Sequence, residues 1–184
     1  MRSLSRISII AVVSTIALGC AQLQTLAGRQ GTATVALSGA GGELRGGGEV
    51  WQDNNGQVHV DLQLQGLPAG THAIHFHAVG SCDSGSAAFS GAGAHYNPAN
   101  KQHGLSNAAG PHAGDAPNFT VEANGNAHVQ FVTDRVTVTA GGATLFDADG
   151  SSLVVHVAAD DQVSQPSGNS GDRIACGVIR QVLK

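Results

Sequence analysis

The sequence predicts an all-β domain: a β-sandwich or flattened barrel of about eight short antiparallel strands, interrupted by two long loops. Three observations carry that expectation. Apolar residues follow period two in short runs, most clearly Val58, Val60, Leu62 and Leu64 alternating with His59, Asp61, Gln63 and Gln65. Asn55-Gly56 and Asn124-Gly125 stand between such runs, where a tight hairpin turn needs positive φ. Glycine reaches 26 of 184 residues, which suits turns; inside a helix each glycine costs about 1 kcal/mol relative to Ala.

The first element is a targeting segment. Arg2 and Arg6 precede the apolar run Ile7 to Leu18, which falls short of the roughly 20 residues that span a bilayer. Residues 1–19 therefore read as a signal peptide. Ile16-Ala17-Leu18-Gly19-Cys20 resembles a bacterial lipoprotein cleavage box, which makes Cys20 the expected lipidation site. Ordinary signal-peptidase cleavage a few residues later is the alternative. Export to an oxidising compartment lets Cys82 and Cys176 form a disulfide, and acylation then gives the third cysteine a use. The expectation is an exported protein held by lipid in the cell envelope, on its periplasmic or outer-surface side. Residues 20–31 read as a tether and 32–184 as one domain.

Within the domain, Thr32 to Leu37 is the first strand, followed by a glycine-rich turn to Gly48. Glu49 to Gln52 and Gln57 to Gln65 flank Asp53-Asn54-Asn55-Gly56 as a hairpin. Leu67-Pro68-Ala69-Gly70 turns into a strand over Thr71 to Ala78. Residues 79–118 show almost no apolar periodicity, and a loop that long in a compact domain is disordered or functional. Phe119 to Glu122 and Ala127 to Thr133 form the next hairpin. Arg135 to Thr139 and Leu145-Phe146 are weaker strands and Ser152 to Ala158 a strong one. A second polar loop runs from Asp160 to Arg173, and Ile174 to Leu183 is the last strand.

The net charge of −4, with no run of five like charges and no basic face, excludes nucleic acid as a partner. The chemistry lies in the histidines. His75 and His77 share one face of a strand, so two imidazoles stand side by side while Ile74 and Phe76 point to the core. His-x-His alone is weak, because exposed strand histidines are common, as His59 and His128 are expected to be. His156, between β-branched residues, reads on its own as a satisfied core histidine. The long loop raises the odds: His95, His103, His112 and Asp115 offer three imidazoles and a carboxylate, a complete tetrahedral set with the marks of a structural zinc site.

Six motifs then fall in one order: Gly70-Thr-His-Ala-Ile-His-Phe-His77, Gly93-Ala-His-Tyr-Asn-Pro98, Lys101-Gln-His-Gly104, His112-Ala-Gly-Asp115, Leu153-Val-Val-His-Val-Ala-Ala-Asp-Asp161 and Gly171-Asp-Arg-Ile-Ala-Cys-Gly177. Over roughly residues 32–184 the chain resembles the copper/zinc superoxide dismutase family, which has a sandwich architecture and uses electrostatic steering. The resemblance implies a Greek-key barrel. It implies that His75, His77, His95 and His156 bind copper, and that His95, His103, His112 and Asp115 bind zinc, with His95 bridging the two. Asp160 matches the carboxylate that ties a copper histidine to a zinc histidine, and Arg173 matches the arginine that receives the anion. Cys82 and Cys176 match the family's disulfide. His72 lies on the opposite strand face and reads as structural.

The implied activity is disproportionation of superoxide to O2 and H2O2 with alternating Cu(II)/Cu(I). His95 and Arg173 carry catalysis, and superoxide anion is the small-molecule partner. A non-catalytic copper-binding or metal-buffering lipoprotein on the same scaffold is the alternative. Family members differ in how they associate, so a homodimer is compatible with the resemblance. One departure stands out. Better-known eukaryotic members carry lysines and glutamates in the second loop, whereas Gln162 to Ser170 here has no charge, so a weaker salt dependence is expected.

Overall fold

The computed structural model describes residues 28–183. The expected signal segment, Cys20 and the expected tether as far as residue 27 lie outside the described residues. Among those described there are nine strands: β1 (Arg29–Ser38), β2 (Leu44–Asp53), β3 (Val58–Leu64), β4 (Gly70–His72), β5 (Ile74–His77), β6 (Phe119–Val121), β7 (Ala127–Thr133), β8 (Ser152–His156) and β9 (Arg173–Gln181). The only helical element described is a single 3-10 turn at Ser90–Ala92.

Seven strands form one antiparallel sheet in the order β5-β8-β9-β1-β2-β3-β7, and β4 pairs with β6 in a second, two-stranded ladder. Ala73 alone separates β4 from β5, and a tight turn joins β6 to β7. The small ladder therefore links the two edge strands of the large sheet and curls it toward a barrel. Neighbours such as β3-β7, β5-β8 and β9-β1 are far apart in sequence, as crossing Greek-key connections require. The alternation read from the sequence is the burial pattern of β3, where Val58, Val60, Leu62 and Leu64 are buried and the residues between them are not. These side chains meet Leu37, Val50, Ile74, Phe76, Leu145 and Leu153 in one continuous core.

Three expectations need correction. The tether is shorter than expected, because β1 starts at Arg29. The glycine-rich turn is mostly strand: β2 begins at Leu44, and Gly46, Gly47 and Gly48 pair on both sides. A Cβ on Gly47 would sit 2.2 Å from the Val35 carbonyl oxygen, and one on Gly46 2.0 Å from that of Gln63, so only glycine permits this approach. Arg135 to Thr139 and Leu145-Phe146 are not strands. Val136, Val138 and Leu145 do enter the core, but the segment makes one isolated bridge, Thr137 with Thr144. The Gln52 side chain, rather than a neighbouring strand, accepts hydrogen bonds from the N–H groups of Val138 and Thr139.

The expected strand over Thr71 to Ala78 divides at Ala73, so His72 goes to one ladder and His75 and His77 to the other. Cys82 and Cys176 are disulfide-bonded across 94 residues, tying the long loop to β9. In the chain-entropy account such a closure is worth about 4–5 kcal/mol.

Candidate metal centre

Two clusters are built on β5, β8 and the long loop. The ligand atoms of His75, His77, His95 and His156 lie within 4.8 Å of one another, as do those of His95, His103, His112 and Asp115. All seven residues are buried. His95 belongs to both groups. β5 supplies His75 and His77, β8 supplies His156 opposite them, and the isolated bridge between His77 and His95 brings the loop onto the edge of β5. The ring centroid of His95 stands 4.0 Å from that of His75, 5.0 Å from His77, 5.2 Å from His103 and 5.5 Å from His112.

Hydrogen bonds set which nitrogen each ring offers. His77 Nδ1–H donates to the Gly93 carbonyl at 2.9 Å, and His156 Nδ1–H donates to that of Gly171 at 3.2 Å. Their Nε2 lone pairs then face each other at 3.4 Å, an arrangement of two acceptors that a shared cation resolves. His75 Nε2–H donates to Asp160 at 2.7 Å, which leaves its Nδ1 buried without a partner. His95 Nε2 is likewise buried and unpartnered. The first cluster thus gathers four ring nitrogens, two of them buried without a partner and two facing each other as acceptors. Such a set suits copper, which imidazole ligates well.

On the other side, His95 Nδ1 and His103 Nδ1 lie 3.0 and 2.9 Å from Asp115 Oδ1, and His112 Nδ1 lies 3.4 Å from it. Three nitrogens around one carboxylate oxygen are the donors of a closed tetrahedral zinc site. The second Asp115 oxygen accepts from the backbone N–H groups of Gly104 and His112, which sets its orientation. Asp160 spans the two clusters, accepting from His75 Nε2 at 2.7 Å and from His103 Nε2 at 3.0 Å. A carboxylate so placed determines both tautomers.

The electrostatics divide the clusters. Burial, above all, pushes the first three histidines down: His75 to about 4, His156 to about 3 and His77 well below its ordinary value. They are neutral and able to ligate at neutral pH. His103 differs. Burial works against a proton there, but Asp115 and Asp160 outweigh it and raise the ring to about 9. Burial likewise opposes the charge on each of these two carboxylates, yet the histidine hydrogen bonds prevail and hold both well below the usual range.

Arg173 opens β9 beside the first cluster. Its guanidinium donates to the carbonyls of Phe89 and Gly93, both at 2.6 Å. The Gly93 oxygen also accepts from His77, so one carbonyl positions cation and ligand together. Among the described residues Arg173 has no carboxylate partner, and it lines an open cleft with His77, His95 and His156. A guanidinium held by neutral oxygens keeps its charge for an incoming anion. His72 takes no part in either cluster; its ring nitrogens lie against the carbonyls of His156 and Pro68. His59 and His128 bond to Asp53 and Asp61 on the outer face.

Sequence reasoning missed the backbone members, the carbonyls of Phe89, Gly93 and Gly171, because residue type does not announce them. It also missed Asn118, whose amide brackets Asp160 by accepting from its N–H and donating to its carbonyl, both at 2.8 Å.

Comparison with known proteins follows the same lines. Residues 45–179 match the family model described as copper/zinc superoxide dismutase. A copper-zinc superoxide dismutase of Aquifex aeolicus is 43% identical over 141 residues, covering 76% of this chain and 82% of its own. One from Caulobacter vibrioides is 40% identical over 152 residues, covering 81% and 86%. A crystal structure of a superoxide dismutase-like protein from Bacillus subtilis, 34% identical, aligns with a TM-score of 0.74 over 82% of this chain and 97% of that one.

Proposed function

The chain belongs to the copper/zinc superoxide dismutase family, with copper and zinc as its cofactors, and from that premise we propose that it disproportionates superoxide. The balance is two superoxide anions and two protons giving one O2 and one H2O2. The observation that carries the reading is the double membership of His95, with Nε2 turned to one cluster and Nδ1 to the other.

When bound, copper would be held by His75, His77, His95 and His156 and would supply one-electron chemistry, and zinc would be held by His95, His103, His112 and Asp115 and would set the affinity of the His95 ring for a proton. The remaining tasks fall to the chain. Arg173 draws a small anion into the cleft and gives neutral molecules no reason to stay. His95 Nε2, buried and without a protein partner, is the atom at which the chain would hold a proton for the reduced product whenever that nitrogen is not ligating. Asp160 keeps His75 and His103 in the tautomers that leave their Nδ1 atoms free. Burial shields His75, His103 and Asp115 from water, while His77, His95, His112 and His156 border the open cleft.

The test is to load the purified domain with copper and zinc and follow superoxide decay directly. The parent consumes superoxide catalytically. His156→Ala loses copper and activity together, whereas Arg173→Ala keeps both metals and slows at least tenfold, within the range of electrostatic steering. Tight binding of both metals without turnover would instead favour the copper-buffering reading.

A further inference from the structure

The loop 160–173 carries no charge from Gln162 to Ser170, yet it is fastened to the segment that presents His103. The side-chain amide of Gln165 accepts from the His103 N–H at 2.8 Å and donates to the His103 carbonyl at 3.0 Å, gripping one residue as a neighbouring strand would. Gln162 accepts from the Leu105 N–H through Oε1 and donates through Nε2 to the Ala116 carbonyl, both at 3.2 Å. Its own carbonyl accepts from the Ser106 N–H at 3.2 Å. Asp160, from the same loop, takes the His103 Nε2–H.

His103 is thus held at its N–H, its carbonyl, Nε2 and Nδ1, and the first three answer to this loop. The carbonyl has a second donor in Asn107, but the N–H has Gln165 alone. The loop also covers the ring directly. At Gly168, where φ is +65°, a Cβ would fall 1.7 Å from Asp160 Oδ1 and 2.8 Å from His103 Nε2. His103 is fully buried as a result.

We propose that Gln165 is a positioning residue for the zinc ligand His103, and that with Gln162 it makes the uncharged loop a latch that retains zinc. The inference rests on the copper–zinc reading of the site. The Gln165 grip fixes the backbone from which the His103 ring projects, and so sets where that ring stands among His95, His112 and Asp115. Truncation removes the one protein acceptor of the His103 N–H and frees the ligand to reorient. Groups that orient metal ligands in this way typically change affinity by about 10–100-fold when removed.

The experiment compares Gln165→Ala with the parent and with Gln130→Ala, which removes an exposed amide of β7 bonded to Asp61, far from the site. Zinc and copper affinities are read by competition with chromophoric chelators, zinc release by stopped flow, and the melting temperature of the chelator-treated protein by circular dichroism. Gln165→Ala should weaken zinc at least tenfold and speed its release. Copper affinity should stay within threefold, metal-free melting within a degree or two, and Gln130→Ala should match the parent. Gln165→Glu, of equal size, keeps the acceptor and loses the donor, and should also weaken zinc relative to copper. Zinc affinity and release within twofold of the parent in both variants would overturn the proposal. So would a joint loss of zinc, copper and metal-free stability, which is the signature of general destabilisation. A parent that binds no zinc at all would remove the premise itself and is distinguished at the first titration.

Discussion

His103 is the residue where charge, burial and ligation conflict most. Its ring is pressed by two carboxylates, which raise it to about 9 against the cost of burial, whereas His75 and His156 are pushed down to about 4 and 3. In the unfolded chain a histidine titrates near 6.5. A folded value above the unfolded one gives stability that is complete below about pH 6.5 and disappears as pH rises through about 9. The chelator-treated protein should therefore melt several degrees lower at pH 9.5 than at pH 6.5. Zinc, bound where that proton sits, should flatten the trend. A melting temperature that rises with pH in the metal-free protein would contradict the assignment of Asp115 and Asp160 as the partners of this ring. The donors of the second cluster, His95, His103, His112 and Asp115, are legible in the sequence as a tetrahedral donor set. The orientation of the His77 and His156 rings in the other cluster is not, because it depends on carbonyls at Gly93 and Gly171 that any residue type supplies.

At the scale of elements, the strands with one buried face announce themselves and the others do not. Period two in β3 survives because β3 is paired on both sides, by β2 and β7, and one of its faces is solvated. Gly46 to Gly48 mislead because glycine ordinarily marks a turn, while here it allows β1, β2 and β3 to approach closely. Val136, Val138 and Leu145 mislead in the opposite sense, supplying strand-like alternation in a segment whose backbone bonds go to a glutamine side chain.

The loop 160–173 is the element with most consequence for rate. Gln162 and Gln165 are committed to the zinc segment, and Asp161 bonds the N–H groups of Val163 and Ser164 within its own loop. Apart from histidines, the only charged residues lining the cleft among those described are Asp172 and Arg173. With one cation and one anion at the mouth, steering is local. Raising ionic strength from about 0.01 to 0.15 M, which shortens the screening length from roughly 30 to 8 Å, should slow the reaction less than about threefold, against the 10–1,000-fold that strong steering can contribute. A fall of tenfold or more, abolished by a substitution in this loop, would refute it.

For the whole molecule, the barrel's task is to bring distant stretches of chain to one ring. His75 and His77 come from β5, His156 from β8 and Arg173 from β9, while His95, His103, His112 and Asp115 come from a loop with almost no regular structure. The disulfide ties that loop to β9, so the carbonyls of Phe89 and Gly93 hold Arg173 at the copper side. The fold class was legible from alternation and turns, but the convergence was not: it follows from strand order, in which β5 lies beside β8 although 74 other residues separate their nearest ends in sequence. The six ordered motifs stood in for that missing geometry.

The central claim is that one imidazole, His95, lies between two different metal ions. Anomalous diffraction from crystals of the copper- and zinc-loaded protein, collected on either side of both absorption edges, tests it most directly. The account predicts a copper peak on the Nε2 side of His95, within bonding distance of His75, His77 and His156. It predicts a zinc peak on the Nδ1 side, within bonding distance of His103, His112 and Asp115. A single peak, or two peaks of which either one does not touch the His95 ring, would contradict it.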